Sequence, residues 1–457
     1  MSLYESLREQ YQEFVYESYE LAKEDGEMKI RYCFRIPGLA EFTPVWRFGL
    51  AGHEVDELVH NKTFLRLVFS LGMVELISYW KTACPKTVRI LCGKLDENQR
   101  AWWKKLYFYG LGEFFYTNKI PLDESGFMEI ISEGNEEEGE EQPLLTEKGC
   151  MVPIGGGKDS VVSVELLRSA GEHASCYIIN PRGATINTTI AGKFADEDVI
   201  IARRTLDRRM LELNAKGFLN GHTPFSAIVA FSAVIAAYLN NLKYIVLSNE
   251  ASANESTVLG STVNHQYSKS FQFEKDFHEY ENTYLKTGTY YFSLLRPLSE
   301  FQIARYFARC TAYHDIFRSC NVGSKEDIWC GHCPKCLFVF LILSPFLPHA
   351  RLCEIFGADM VNDESMIPVM EQLVGVVDEK PFECVGSRDE VNTAICMTIA
   401  NLCRRNEELP VLFAHYRTLP QYEEYSHREN TFFTGYEEEN LLPGQFAVLV
   451  KENCCKA

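Results

Sequence analysis

The chain has 457 residues, 46% of them hydrophobic, with 63 acidic against 45 basic side chains and a formal net charge of −18. That length exceeds one ordinary core and points to two or three packed units, while the acidic balance excludes a broad phosphate-tracking surface, so nucleic acid is not an expected partner. The 16 cysteines are mostly scattered singly through apolar segments, which fits a reducing cytosol and not a disulfide-stapled secreted scaffold.

Residues 1–23 alternate charged and aromatic side chains without an apolar run, and match neither a signal peptide nor a membrane anchor. The apolar stretch 225–239 is short for a bilayer span and carries Ser226, Ser232 and Tyr238. A cytoplasmic protein with no membrane partner is expected. Residues 1–145 read as a separate α+β unit, with a helix over 63–81, a strand over 87–92 and a helix over 98–116. The acidic, Gly-interrupted run 133–141 then ends that unit as a solvated loop or linker.

From residue 146 to 310 short apolar runs alternate with helical ones, the signature of a doubly wound α/β domain with a parallel sheet. Strands are expected over 150–154, 176–179, 198–202 and 243–248, and helices over 160–169, closed by Gly171, and over 224–239. Residues 311–345 hold a cysteine-rich module. Residues 346–457 carry helical patterns without strand runs and are expected as a cap over the sheet.

Between the strand at 150–154 and the following helix stands Gly155-Gly156-Gly157-Lys158-Asp159-Ser160. Glycines let backbone N–H groups close around an anion, and a helix N-terminus adds partial positive charge. Lys158 adds a point charge, and Asp159 is a candidate Mg²⁺ ligand, since magnesium favours one or two carboxylates plus substrate phosphates. A Walker A loop needs G-x-x-x-x-G-K-[ST]; here Val152 takes the first glycine's position and Asp159 follows the lysine. The string instead resembles the S-G-G-x-D-S motif of the PP-loop ATP pyrophosphatases, with Gly155 in place of the serine. That resemblance implies ATP as cofactor, a loop that holds the β- and γ-phosphates, and attack at the α-phosphate that leaves AMP on the substrate.

Cys320, Cys330, Cys333 and Cys336 give C-x9-C-x2-C-x2-C, four soft thiolates spaced for one tetrahedral metal. A structural zinc is expected; buried free thiols and an iron–sulfur cluster are the alternatives. The layout from about 150 to 340 is similar to that of the 7-cyano-7-deazaguanine synthases. The glycine loop is followed by the Asn220-Gly221-His222-Thr223-Pro224 turn, then Ser248-Asn249-Glu250 at a strand end, Arg296-Pro297-Leu298, and the cysteines. Ser248, Asn249 and Glu250 are accordingly candidate nucleotide contacts.

A closer resemblance spans nearly the whole chain. Leu71-Gly72-Met73-Val74-Glu75 with Ser78-Tyr79-Trp80, Gly110-Leu111-Gly112-Glu113-Phe114-Phe115, Val152-Pro153-Ile154, 219–225, 248–254 and Lys380-Pro381-Phe382-Glu383-Cys384-Val385-Gly386 resemble the ATP-dependent UDP-N-acetylmuramoyl-L-alanyl-L-glutamate epimerases, the MurL type. This implies conversion of the terminal L-glutamate of the peptidoglycan precursor to D-glutamate, with a small-molecule UDP-sugar peptide as partner. Candidate proton carriers are His222, His265, Lys269 and Cys384, each of which also has a plain structural reading. Cys384 lies just before the capping box Ser387-Arg388-Asp389-Glu390, where a helix N-terminus lowers a thiol's pKa. An anionic substrate calls for cations, and Arg203, with Arg204, Arg208 and Arg209, follows a strand end, where open α/β sheets bind ligands; Lys269 and Arg296 could join them. The competing readings are a nucleoside- or tRNA-modifying PP-loop enzyme and a non-catalytic ATP-binding protein.

Overall fold

The dipeptide Asp25-Gly26, with φ of 53° and 78°, reverses the chain between β1 (Glu13–Glu24) and β2 (Glu27–Ile36) as a two-residue antiparallel hairpin. The computed structural model describes residues 1–121, 123–254, 267–378, 381, 383 and 385–456. The remaining strands are β3 (Ala40–Phe42), β4 (Val45–Gly49), β5 (Thr87–Ile90), β6 (Glu129–Ser132), β7 (Cys150–Pro153), β8 (Ala174–Ile179), β9 (Val199–Thr205), β10 (Tyr244–Leu247) and β11 (Tyr290–Ser293). All eleven belong to one sheet in the order β11-β10-β7-β8-β9-β4-β2-β1-β5-β6, with β3 on β2.

The fold is α/β, but the sheet is mixed. Strands β7 to β11 are mutually parallel, as expected of a doubly wound arrangement. Beyond β9 the pairing turns antiparallel through β4, β2 and β1, and returns to parallel at β5 and β6. The N-terminal strands therefore extend the same sheet across residue 145, with Val45 opposite Thr205 and Phe48 opposite Ala202. The alternation of charged and aromatic residues that argues against a leader segment over 1–23 is also the period of two of a half-buried strand, which is what β1 forms.

Alternation also explains how one sheet serves two cores. In β7, Met151 points into a core built with α1 (Lys62–Trp80) and α3 (Phe225–Leu239), whereas Cys150 and Val152 point into a second core. That second core holds α2 (Lys158–Ser169), α5 (Glu300–Phe307), α6 (Pro334–Leu343) and α7 (Arg388–Arg404). Between α3 and α5, the chain forms α4 (Phe271–Tyr280). Helices α1 and α3 are apolar all round because they pack against each other and the sheet. By length and composition α1 could cross a bilayer, yet 89% of its most apolar 18 residues are buried in the fold. Gly72 is what allows so close a seat: a Cβ there would stand 2.0 Å from the Tyr16 hydroxyl of β1. No strand follows Ser293 among the described residues, and the C-terminal region is helical, as expected.

The acidic run after β6 is largely exposed, but it is not a free linker. Glu140 forms an isolated bridge with Asn61, the residue that caps α1, and Glu141 pairs with Arg66 on the same helix.

A buried ion pair pins the N-terminal strands to the parallel half. Glu75 of α1 is fully buried and accepts from Arg204 of β9 at 2.9 Å and from the Trp46 indole of β4 at 3.1 Å; Arg204 also reaches the Ser78 hydroxyl at 3.0 Å. Removing one partner of such a pair leaves the other charge buried without compensation, a loss of about 3–5 kcal/mol. Glu75→Ala is therefore expected to lower the free energy of unfolding by that order in urea titration; a change of a few tenths would show that the pair carries no such role.

Candidate functional site

β7 ends at Pro153 and α2 starts at Lys158 with Gly157 as its N-cap, so the three glycines form the connecting loop. Gly156 takes φ of 85°, and a Cβ on it would stand 2.8 Å from the Ala184 side chain. Its carbonyl accepts from the Arg318 N–H at 2.7 Å, and the Gly155 carbonyl accepts from the Arg182 guanidinium at 2.9 Å. The loop is thus held from two sides by residues distant in sequence.

A cavity of about 550 Å³ opens beside this loop, at the carboxyl ends of β7, β8 and β10, where open α/β sheets bind ligands. Gly155, Gly157, Asp159 and Ser160 line it together with Ser248, Asn249, Glu250 and Lys269. Apolar contact comes from Tyr177, Ile179, Phe225, Val229 and Leu247. Asn180, Arg182, Thr185 and Ser226 add polar groups, as do Glu300, Ser319, Asn321 and Lys335, and none of these last four was singled out by the sequence motifs.

Lys158, expected to face a ligand, is 3% exposed and lies behind the lining. Its ammonium is bound to the carboxylates of both Asp159 and Glu300. Burial opposes that charge, but the two carboxylates outweigh it and hold the Lys158 pKa above the ordinary value. Burial likewise opposes the Asp159 carboxylate, and Lys158 and then Lys335 reverse the effect and keep its pKa low. Glu300 goes the other way: burial, reinforced by Asp159 and Glu250 against the pull of Lys158, lifts it to about 7. Glu250 is raised too, by burial and then by Asp159.

Behind Glu300 stands Glu390, the last residue of the capping box and the third of α7. It accepts from the Ser387 N–H at 2.7 Å, the Ser387 hydroxyl at 2.8 Å and the Glu300 N–H at 2.6 Å, so α5 and α7 meet at one carboxylate. Burial, with Glu300 adding to it, lifts Glu390 to about 7. Sequence reading found the capping box but not its second partner, which is 90 residues away.

The other candidates divide. Ser248 shares a hydrogen bond with Ser163 of α2 at 2.8 Å, and Asn249 donates to Ser293 of β11 at 3.1 Å, so both are fixed at the rim. Lys269 lines the cavity. Arg296, expected to meet substrate, is fully buried: it pairs with Glu274 at 3.0 Å and donates to the carbonyls of Glu250 at 2.8 Å and Lys269 at 2.6 Å. Its position holds the backbone of two cavity residues in place. Arg203 pairs with Glu27 on the outer part of the sheet and does not line the cavity, and Arg204 is committed to Glu75. His222 lies outside the lining, with Nδ1 3.5 Å from Glu113. His265 and Cys384 fall outside the described residues.

The four cysteines converge. Sulfur separations are 3.7 Å for Cys320–Cys333, 3.7 Å for Cys330–Cys336 and 3.5 Å for Cys333–Cys336, and all four sulfurs lie within 4.8 Å of one another. A tetrahedral ion with metal–sulfur bonds of about 2.3 Å spaces its ligands about 3.8 Å apart, so the donor set fits zinc without rearrangement. Cys333 also caps α6, its sulfur accepting from the Cys336 N–H at 3.4 Å.

Fold and site together define an α/β protein with a glycine-rich loop at the ends of parallel strands and a four-thiol cluster whose flanking residues line the same cavity. The chain belongs to the MurL family: the model of the MurL N-terminal domain matches residues 5–294 and that of the MurL C-terminal domain matches residues 316–429. Relatives named UDP-N-acetyl-alpha-D-muramoyl-L-alanyl-L-glutamate epimerase include proteins of Micromonospora sp. and Salinispora tropica. Each is 36% identical, over 84% of this chain and 86% and 84% of their own lengths, respectively. The protein of that name from Xanthomonas oryzae pv. oryzae is 37% identical over 72% of this chain and 73% of its own.

The raised carboxyls set a pH dependence. A folded-state value near 7 against the usual 4.5 means that the folded chain holds these protons more tightly than the unfolded chain. The resulting stability is fully present below about pH 4.5 and is lost as pH rises toward about 7. Glu390→Gln removes that loss at one position, so the melting temperature of the variant relative to the parent should rise between about pH 5 and about pH 7.5. A difference that stays constant across this window would contradict the assignment.

Proposed function

We propose that this chain inverts Cα of the terminal L-glutamate of UDP-MurNAc-L-Ala-L-Glu, an isomerase step that supplies D-glutamate to the peptidoglycan precursor, and that it does so through a carboxyl adenylate, releasing AMP and pyrophosphate. The observation that carries this reading is a single cavity joining the Gly155–Ser160 loop to Asp159, Glu250 and Lys269, in a chain whose relatives bear the epimerase name. The parallel half of the sheet, with the loop after β7, suits a site of the PP-loop pyrophosphatase type.

In this reading the N–H groups of the loop and the start of α2 hold the anionic phosphates. Asp159 would hold Mg²⁺, with substrate phosphates completing its shell. Tyr177, Ile179, Val229 and Leu247 offer the nucleoside an apolar seat. Removing a Cα proton beside an ionised carboxylate would place two negative charges side by side. Attack of the carboxylate on the α-phosphate expels pyrophosphate and leaves an acyl phosphate anhydride, which has no charge at that carbonyl and accepts the enolate; a proton returned to the opposite face inverts Cα, and water then cleaves the anhydride to the D-configured carboxylate and AMP. Glu250 and Lys269 line the cavity and carry exchangeable protons, and burial raises the Glu250 carboxyl above its ordinary value. The four thiolates would hold a structural zinc with no position open to substrate.

In deuterated water with ATP and Mg²⁺, deuterium should enter Cα of the terminal glutamate, with AMP and pyrophosphate formed in step with the D-epimer; without ATP none should enter. A D-configured product that keeps its Cα proton would rule out deprotonation, and release of ADP would rule out attack at the α-phosphate. Asp159→Ala should lower ATP-dependent turnover on the order of a hundredfold or more with the circular dichroism spectrum of the folded chain intact, and should also lower the melting temperature, because it removes one of the two carboxylates that meet the buried Lys158 ammonium.

Metal analysis should give one zinc per chain, lost in Cys333→Ser, with a fall in melting temperature well beyond that of a surface substitution. Iron with sulfide, or no metal, would overturn the zinc assignment.

A further inference from the structure

Within C-x2-C, the residue between two ligands reads as a spacer, yet Lys335 is the second residue of α6 and lines the cavity. It is 7% exposed, and its charge acts on Asp159, Glu250 and Glu300. The thiols on either side hold it there: Cys333 caps α6, and the Cys336 N–H closes the first turn on that sulfur. Elsewhere in the cluster the same pattern recurs. Ser319 and Asn321 flank Cys320 and both line the cavity, and one residue further back the Arg318 N–H bonds to the Gly156 carbonyl. Two of the four cysteines' sequence neighbourhoods are thus built into the wall facing the glycine loop.

Charge balance gives this placement a purpose. The loop's own cation, Lys158, is engaged by both Asp159 and Glu300 and lies behind the lining. Asp159, Glu250 and Glu300 all face a cavity that, on the proposed function, admits a triphosphate carrying several negative charges. A chain with a net charge of −18 has no surplus of cations to spread there. The cationic side chains that line the cavity among the described residues are Lys269, Lys335 and Arg182, and Arg182 donates to the Gly155 carbonyl of the loop itself. A lysine acts on phosphate as a compact point charge and needs no fixed fork geometry, which suits a residue on a first helical turn.

We propose that Lys335 binds the polyphosphate tail of ATP, and that the metal-holding cysteine cluster is the device that presents it, so that metal occupancy and nucleotide affinity are linked. The inference rests on the ATP-dependent reading above and adds a residue and a coupling to it. Linkage is reciprocal: if the metal-bound cluster favours nucleotide, bound nucleotide must favour retention of the metal.

Calorimetric titration of the metal-loaded parent, Lys335→Ala and Lys335→Arg with MgATP, inorganic pyrophosphate and AMP tests the first part. Loss of one charge-assisted contact should weaken MgATP and pyrophosphate binding by about tenfold or more in Lys335→Ala. AMP should change much less, arginine should restore most of the affinity, and metal content and melting temperature should stay at parent values. Equal affinities in the parent and Lys335→Ala would overturn the inference alone; a parent that binds neither MgATP nor pyrophosphate would overturn the functional reading with it. The coupling is read from how the metal divides between the protein and a chelator. At equilibrium with a competing chelator, saturating MgATP should raise the fraction of metal the parent retains and have a smaller effect on Lys335→Ala, and retention indifferent to MgATP would show that the cluster and the nucleotide site are independent.

Discussion

The ammonium of Lys158, buried between the carboxylates of Asp159 and Glu300, is the contact on which the site depends. It joins the first turn of α2, which follows the glycine loop, to the first turn of α5, and Glu390 carries the connection on to α7 through the Glu300 N–H. A charge so buried is tolerated because it is met on two sides, and the geometry it imposes leaves Asp159 at the cavity while its partner lies behind. The glycine loop is thereby set by a buried electrostatic lock as well as by the backbone bonds from Arg182 and Arg318.

Elsewhere the same economy of charge is visible. Arg204 is spent on Glu75, where it holds β9 to α1 and β4, and Arg296 is spent on Glu274 and on the carbonyls of Glu250 and Lys269. In an acidic chain, arginines near a strand end are drawn first to internal carboxylates, and the planar fork of the guanidinium makes them effective at fixing several elements together. Among the described residues, the cations lining the cavity are Lys269, Lys335 and Arg182, the last bonded to the Gly155 carbonyl.

Membership of the MurL family gives this arrangement its chemical context. Epimerisation beside a carboxylate is difficult because of the charge on that carboxylate, and the adenylate route proposed above would meet that difficulty at the one cavity that the glycine loop, Glu250 and Lys269 line. The cysteine cluster stands against the same loop, so its contribution is architectural at the place where the chemistry is proposed to occur.

Local patterns determined a good deal. The three glycines between an apolar strand and a helix, the C-x9-C-x2-C-x2-C spacing, the helices 62–80 and 225–239 and the strands after residue 150 are legible because each depends on neighbours within a few residues. The capping box at Ser387 belongs to the same class. What the tertiary structure decided depends on residues far apart in the chain: the continuation of the sheet through the antiparallel contact of β4 with β9, the withdrawal of Lys158 and Arg296 from ligand into buried ion pairs, and the arrival of Glu300, Ser319, Asn321 and Lys335 at the cavity. A sequence shows which side chains carry charge, but which of them face a ligand is set by which carboxylates the fold brings within reach, and those partners lie as many as 142 residues away.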